Sequence, residues 1–215
     1  MVGLNQETRP KCQACCAVKS DLSQEGWQGR YAAGKTGWDR GEANPMLLRW
    51  LEQGQLEPCR ILVPGCGRGH EAVALAKAGF EVTAIDFAKS AVEHLQDELQ
   101  SRGLQADVVQ ADLFAFCGAE PFDAIYEQTC LCAIDPSQWK TYQQLLACWL
   151  RPSGKLLALF MQSGQDHAPP FSCQMPAMRE LFSQPDWYWS EGPVRIEHPT
   201  GMHELGCVIE RGEIR

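Results

Sequence analysis

Arg60-Ile-Leu-Val-Pro-Gly-Cys-Gly-Arg-Gly69 is the stretch on which the fold turns. A short apolar run, Arg60 to Val63, passes through glycines at 65, 67 and 69, after which Val73, Leu75, Ala76 and Ala78 recur at helical spacing up to Gly79. A strand that turns through glycines directly into a helix opens a β-α-β unit. Phe80-Glu-Val-Thr-Ala-Ile85 follows as a second strand, and Ser90 to Arg102 as an amphipathic helix with Ala91, Leu95 and Leu99 on one stripe, stopped by Gly103.

The alternation continues downstream. Strands are expected around Asp107 to Gln110, Phe122 to Tyr126 and Lys155 to Met161, with a helix from Ser137 to Leu150 that turns Leu145, Leu146 and Trp149 inward. Strand alternating with helix through short turns predicts an α/β fold: a doubly wound, Rossmann-like, mostly parallel sheet of seven strands with helices on both faces. From Pro193 to Ile209 two further strand-like runs flank the turn signal His198-Pro-Thr-Gly201, so a C-terminal antiparallel hairpin is expected at the sheet edge.

A chain of 215 residues, 45% of them hydrophobic, supports one substantial core, so residues 21–215 are expected to form one domain, with 1–20 a poorly ordered leader. The net charge of -8 works against phosphate-backbone binding and excludes nucleic acid as the expected partner. No apolar run approaches the roughly 18 residues of a membrane span, and no heptad pattern is present; the expectation is a monomer in the cytoplasm. Eleven cysteines, an odd number scattered through core segments, read as reduced thiols. Cys12, Cys15 and Cys16 cluster in a polar stretch, but no second Cys/His pair at zinc-finger spacing follows, and no metal is expected.

Glycines at 65, 67 and 69 let a backbone turn tightly and approach a ligand closely. Asp86 ends the second strand, 21 residues after Gly65, where a carboxylate can accept both hydroxyls of an adenosine ribose; capping the next helix is its competing structural role. Asp112 follows the third strand, where it or the neighbouring Leu113 backbone meets an adenine ring. A dinucleotide enzyme would use the same parts, but pyrophosphate wants G-x-G-x-x-G, and here the glycines fall as G-x-G-x-G. S-adenosylmethionine carries a carboxylate, an ammonium and a sulfonium and no phosphate, and suits the tighter loop better.

Ahead of the first strand, Trp27 and Tyr31 stand four apart on one helical face, and Trp38 follows a Gly-rich turn. Such a stripe commonly packs a helix onto its core. It also suits a sulfonium, since a desolvated cation over an aromatic face gains about 2 kcal/mol.

The segments W-x3-Y-x2-GKTGWDRG, VPGCGRG, AIDFAKSAV, QADLF, FDAIYEQTCLCAI and HAPPF, in that order from about residue 25 to Phe171, resemble the thiopurine S-methyltransferase superfamily, including its halide and thiol methyltransferase branch. The resemblance implies a class I S-adenosylmethionine-dependent methyltransferase whose product is S-adenosylhomocysteine. It implies that Trp27, Tyr31 and Trp38 line the cofactor, that Gly65, Gly67 and Gly69 hold its methionine end, and that Asp86 with Phe87 takes the ribose. Asp112, Leu113, Glu127 and Gln128 would surround the adenine and the sulfonium. Val63-Pro64 replaces the acid that precedes the glycine loop in generic methyltransferases, and Tyr31 stands where a second tryptophan is frequent, so acceptor specificity does not transfer.

Methyl transfer from a sulfonium is an in-line displacement that needs alignment and dryness rather than a metal. Residues 25–41 would act as a lid over the acceptor, a small thiol or sulfide, or a halide or thiopurine-like nucleophile. Acceptor-side candidates are Tyr31, Asp39, Arg40, Asp166, His167 and Phe171; the histidines at 70, 94, 198 and 203 have weaker claims. A pocket closed by Trp38, Phe171 and Met175 to Met178 would favour single-atom nucleophiles. Three alternatives remain open: a metalloid methyltransferase using Cys130 and Cys132, a nicotinamide oxidoreductase, and a non-enzymatic S-adenosylmethionine-binding protein.

Overall fold

The structure, a computed structural model, describes residues 21–190 and 192–213. The expected leader and the cluster Cys12, Cys15 and Cys16 lie outside the described residues.

Two helices, α1 (Gln24–Ala32) and α2 (Pro45–Glu52), precede the alternating part. That part runs β1 (Arg60–Pro64), α3 (His70–Lys77), β2 (Glu81–Asp86), α4 (Lys89–Ser101), β3 (Asp107–Gln110), β4 (Phe122–Gln128), α5 (Trp139–Trp149) and β5 (Leu150–Gln162). The chain closes with α6 (Met175–Leu181), β6 (Trp187–Trp189), β7 (Val194–Glu197) and β8 (His203–Arg211). The sheet order is β3-β2-β1-β4-β5-β8-β6, with β7 also paired to β8. Strands β1 to β5 are parallel to one another, and β8 is antiparallel to β5, β6 and β7.

The sequence dictates this layering. Ile61, Leu62 and Val63 are all buried, as a strand covered on both faces requires, and the continuous apolar run of β1 reads that way rather than as an alternating one. One face packs under Met46, Leu47 and Trp50 of α2 with Leu75 of α3 and Leu95 of α4. The other packs under Tyr142, Leu146 and Trp149 of α5 with Met178 of α6. Each such side chain, fully buried, contributes roughly 1.5–3 kcal/mol.

The doubly wound class is as the sequence reads, with three differences of detail. The sheet has eight strands, because β6 is a three-residue segment, too short to show alternation. The hairpin about residues 198–201 forms, but β8 is internal, extending the sheet from β5 while β6 and β7 share its far edge. The fifth helix starts later than Ser137, since Asp135 accepts from Ser137 N (2.9 Å) and sets a short 3-10 turn, Pro136–Gln138, before α5. Among the described residues no helix is long and apolar enough to cross a membrane.

Winding reverses at β1, which lies between β2 and β4. A crevice opens beyond the carboxyl ends of strands at such a switch point. The functional side chains gather there.

Candidate active site

A cavity of about 650 Å³ lies at this carboxyl edge, walled by the ends of β1, β2 and β4, by α1 with the segment following it, and by the β7–β8 turn. Its size falls within the ~300–1,000 Å³ of small-molecule sites. The sequence-predicted residues Trp27, Tyr31, Trp38, Gly65, Asp86, Phe87, Asp112 and Leu113 all line it.

The glycine loop earns its glycines in different ways. Gly65 has φ +59°, and a Cβ there would lie 2.8 Å from Cys130 Sγ, so the loop packs directly against the segment leaving β4. At Gly67, φ +54°, a Cβ would sit 3.1 Å from the Tyr31 hydroxyl, which brings the α1 aromatic down onto the loop. Gly69 is the left-handed residue starting α3, and its missing Cβ makes room for Leu95 of α4. Gly67 and Gly69 line a second, smaller cavity with Gln128, Asp39 and Arg40, rather than the main one.

Asp86 is 7% exposed. Its Oδ2 accepts from Gly67 N (2.9 Å) and its Oδ1 from Ala88 N (2.8 Å), so one carboxylate ties the glycine loop to the start of α4. Burial pushes this carboxyl above its ordinary range, and the Ala88 and Gly67 amides pull it back. Each oxygen keeps a second lone pair for a ligand hydroxyl. Asp112 Oδ1 accepts from Phe114 N (2.9 Å), which orders the turn that brings Leu113 and Phe114 to the cavity lining with Phe87.

The α1 segment supplies the roof. Trp38 meets Trp27 edge-on at 5.4 Å and Tyr31 at 5.7 Å between centroids. Gln24 donates to Phe87 O (2.6 Å) and Gln28 bonds Ser90, anchoring α1 over the β2–α4 junction. Burial, then the nearby Asp86, raises the Tyr31 phenol far above its ordinary value, so it stays protonated.

The remaining predicted residues are placed elsewhere. Asp39 does not line the main cavity: it ion-pairs Arg68 (3.2 Å) and is hydrogen-bonded to His70 Nε2 (2.8 Å). Arg40 donates to Glu197 O (2.9 Å) at the end of β7. Glu127 is buried, and its Oε1 accepts from Leu131 N (2.6 Å), holding the turn after β4. Asp166 and His167 are exposed, paired at 3.8 Å, and outside the cavity wall, as are Met175 to Met178. Phe171 is buried with its N–H on Cys132 O (2.7 Å), and the preceding Pro169 and Pro170 face the cavity instead.

Two cavity residues had no strong sequence signal, Arg30 on α1 and His198 in the β7–β8 turn. His198 Nδ1 accepts from Thr200 N (3.3 Å) and lies 2.7 Å from Thr200 Oγ1. Burial, then the positive Arg40, lowers its ring below the usual histidine range. Cys130 and Cys132 also line the cavity, but burial drives both thiols well above their ordinary value, which makes them poor thiolate ligands. Among the described residues no group of three or more His, Cys, Asp or Glu could hold a metal ion.

A glycine loop, a buried acid after β2, an aromatic roof and a switch-point cavity are thus assembled, and residues 22–192 match the thiopurine S-methyltransferase family. The chain belongs to the thiopurine S-methyltransferase family. It is therefore a S-adenosylmethionine-dependent methyltransferase. It is 33% identical to probable thiol methyltransferase 2 of Arabidopsis thaliana over 88% of this chain and 86% of that protein. It is 31% identical to thiocyanate methyltransferase 1 of Brassica oleracea over 86% and 84%. In fold it is similar to the 1,6-didemethyltoxoflavin-N1-methyltransferase of Burkholderia thailandensis, with TM-score 0.75 and 21% identity over 89% of this chain and 88% of that one. Membership of this family removes the nicotinamide alternative.

Proposed function

We propose that this family member methylates a small sulfur nucleophile, a thiol or hydrosulfide, with S-adenosylmethionine held in the switch-point cavity. The observation that carries this reading is the cavity itself. About 650 Å³ gives an adenosine, a methionine and a small acceptor one shared space, with the acceptor beside Met161, Pro169, Pro170 and Met202. Relatives described as thiol and thiocyanate methyltransferases point the same way.

The residues fit the cofactor. Asp86 would take the ribose hydroxyls, Phe87 with Leu113 the adenine, and Gly65 with Thr129 the methionine end. Bound there, S-adenosylmethionine supplies a methyl group on an electrophilic sulfonium. Tyr31 and Trp38 would offer that cation aromatic surface and, packed with Trp27, would exclude water, which strengthens the attraction between acceptor and sulfonium. Met161, Pro169, Pro170 and Met202 offer the acceptor an apolar wall that fixes its approach line without competing for the methyl group. Glu127 would act by shaping the turn that carries Thr129 and Cys130, while Gln128, held by the Tyr126 hydroxyl, lines the smaller cavity.

The raised Cys130 and Cys132 thiols give the metalloid reading no support. The proposal extends to a monomer in the cytoplasm: the described cysteines are free, and among described large hydrophobics only Leu48 and Tyr188 are exposed.

The test is a methyl-transfer assay across hydrosulfide, methanethiol, iodide, an aromatic thiol and arsenite. Highest kcat/KM on hydrosulfide or methanethiol supports the reading. Turnover confined to arsenite, or binding without turnover on any of them, overturns it.

A further inference from the structure

Among the described residues, five buried side-chain nitrogen or oxygen atoms lack a hydrogen-bond partner, and two of them belong to residues lining the cavity: Arg30 Nη1 and His198 Nε2. Both are donors. Arg30 carries a guanidinium, which has no acceptor capacity. His198 Nδ1 receives the Thr200 amide, so the ring proton sits on Nε2. The His198 ring also has the Trp38 backbone as a partner. Native structures rarely bury a donor without an acceptor, and Arg30 Nη1 on the cavity lining points to a ligand that brings the acceptor with it.

The geometry of α1 says which end of the cavity Arg30 serves. Gln24 and Gln28 bond Phe87 and Ser90, so their face of the helix lies against the ribose-side wall. Two residues beyond Gln28, Arg30 is turned by about 200° at the helical ~100° per residue, away from that wall. Its guanidinium lies 4.1 Å over the Trp27 ring, which fixes the group flat while leaving Nη1 without a partner. Met161, Pro170 and Met202 carry no carboxylate or hydroxyl, and the acids of the cavity lining are Asp86, Asp112 and Asp135.

We propose that Arg30 is a specificity-determining residue that draws the acceptor into the cavity as a small soft anion, a thiolate, hydrosulfide or pseudohalide. The proposal rests on the function proposed above. An acceptor that enters as an anion needs no base, in keeping with the placement of Asp39, Asp166 and His167 outside the cavity. The acceptor's lone pair forms the new bond to the methyl carbon, and the carbon–sulfonium bond breaks with its electron pair going to the leaving sulfur. The acceptor's negative charge and the sulfonium's positive charge disappear together, and no proton remains to be placed. Because Arg30 stabilises the anion more than the neutral product, it acts on capture, and its loss should fall on KM rather than kcat.

The experiment titrates thiocyanate into the protein already saturated with S-adenosylhomocysteine, and in parallel measures steady-state kinetics with hydrosulfide. The wild type is expected to bind thiocyanate. Arg30→Gln should weaken that binding at least tenfold and raise the hydrosulfide KM at least tenfold, with kcat within about twofold, while Arg30→Lys recovers part of both. S-adenosylhomocysteine affinity should be unchanged in either variant. Loss of S-adenosylhomocysteine affinity in Arg30→Gln would place Arg30 on the cofactor and overturn the proposal, as would unchanged thiocyanate binding. If the wild type fails to bind S-adenosylhomocysteine, it is the underlying function that fails, not the assignment of Arg30 alone. Because α1 buries none of its residues, Arg30→Gln is expected to fold, and the S-adenosylhomocysteine titration verifies it.

Discussion

Asp39 Oδ1 stands 2.8 Å from His70 Nε2, so the strap that follows α1 is fastened to the first turn of the glycine-loop helix. Asp39 Oδ2 lies 3.2 Å from Arg68, and Oδ1 also accepts from Gly41 N (2.8 Å). One carboxylate, 10% exposed, thereby fixes the height of Trp38 above the cavity. A residue expected to touch the acceptor instead holds the roof.

Removing this fastening should loosen the roof without touching the ligand. Asp39→Ala is expected to weaken S-adenosylhomocysteine binding by about 1–2 kcal/mol, the scale of lost charge-assisted hydrogen bonds. Calorimetry measures it, and affinity equal to wild type would show that the strap's position does not depend on Asp39.

Asp86 holds the glycine loop and the start of α4 and also lines the cavity, and two substitutions separate its structural role from the proposed ribose contact. Asp86→Ala strips acceptors from Gly67 and Ala88 and should lower both the melting temperature and cofactor affinity, the latter by about 1.5–3 kcal/mol. Asp86→Asn keeps one acceptor oxygen and should preserve more of the fold than of the affinity. Equal losses in the two variants on both readouts would leave Asp86 a purely structural residue.

Gly65 and Gly34 share a positive φ, +59° and +64°, but only Gly65 has a neighbour where its Cβ would be. Gly34→Ala should cost about 1 kcal/mol in backbone strain. Gly65→Ala adds overlap with Cys130 Sγ at 2.8 Å and should cost at least twice as much in chemical denaturation, with loss of cofactor binding. Similar costs for the two would show that the loop gives way at Cys130.

Glu204 is fully buried, bonded by Asn44 Nδ2 (2.9 Å), and burial pushes its carboxyl up to about 7. Between the ordinary glutamate value and pH 7 the unfolded chain has lost this proton and the folded chain keeps it. The contribution to stability therefore falls as pH rises through that window and levels off above it. Glu204→Gln, which keeps the acceptor for Asn44, should be nearly neutral at pH 5 and stabilising by up to about 3 kcal/mol at pH 8. Melting curves at the two pH values check this, and the same difference at both would contradict the burial of an ionising Glu204.

The parts of this site that the sequence shows are those whose chemistry is local. Glycines at positive φ, an acid ending a strand and a Trp–Tyr pair four apart each leave a mark within a few residues, and Gly65, Asp86, Trp27 and Tyr31 all line the switch-point cavity. Arg30 and His198 leave none: one sits between two aromatic residues on a polar helix, the other in a turn that reads only as a turn, and only the tertiary fold brings them to one cavity. Asp166 and His167 drew attention by their nearness to Pro169-Pro170, yet the prolines face inward and the charged pair faces water. Glu127 followed the family pattern, but strand alternation turns it to the α5 side of β4, where it bonds Leu131. Similarly, β6 escapes notice because three residues cannot display a period.

The most direct test of the account is a crystal structure of the protein with S-adenosylhomocysteine. The account predicts the ribose hydroxyls within hydrogen-bond distance of Asp86, the adenine between Phe87 and Leu113, and the homocysteine sulfur beneath Trp38. A ribose bound away from Asp86, or a ligand outside the switch-point cavity, would contradict it.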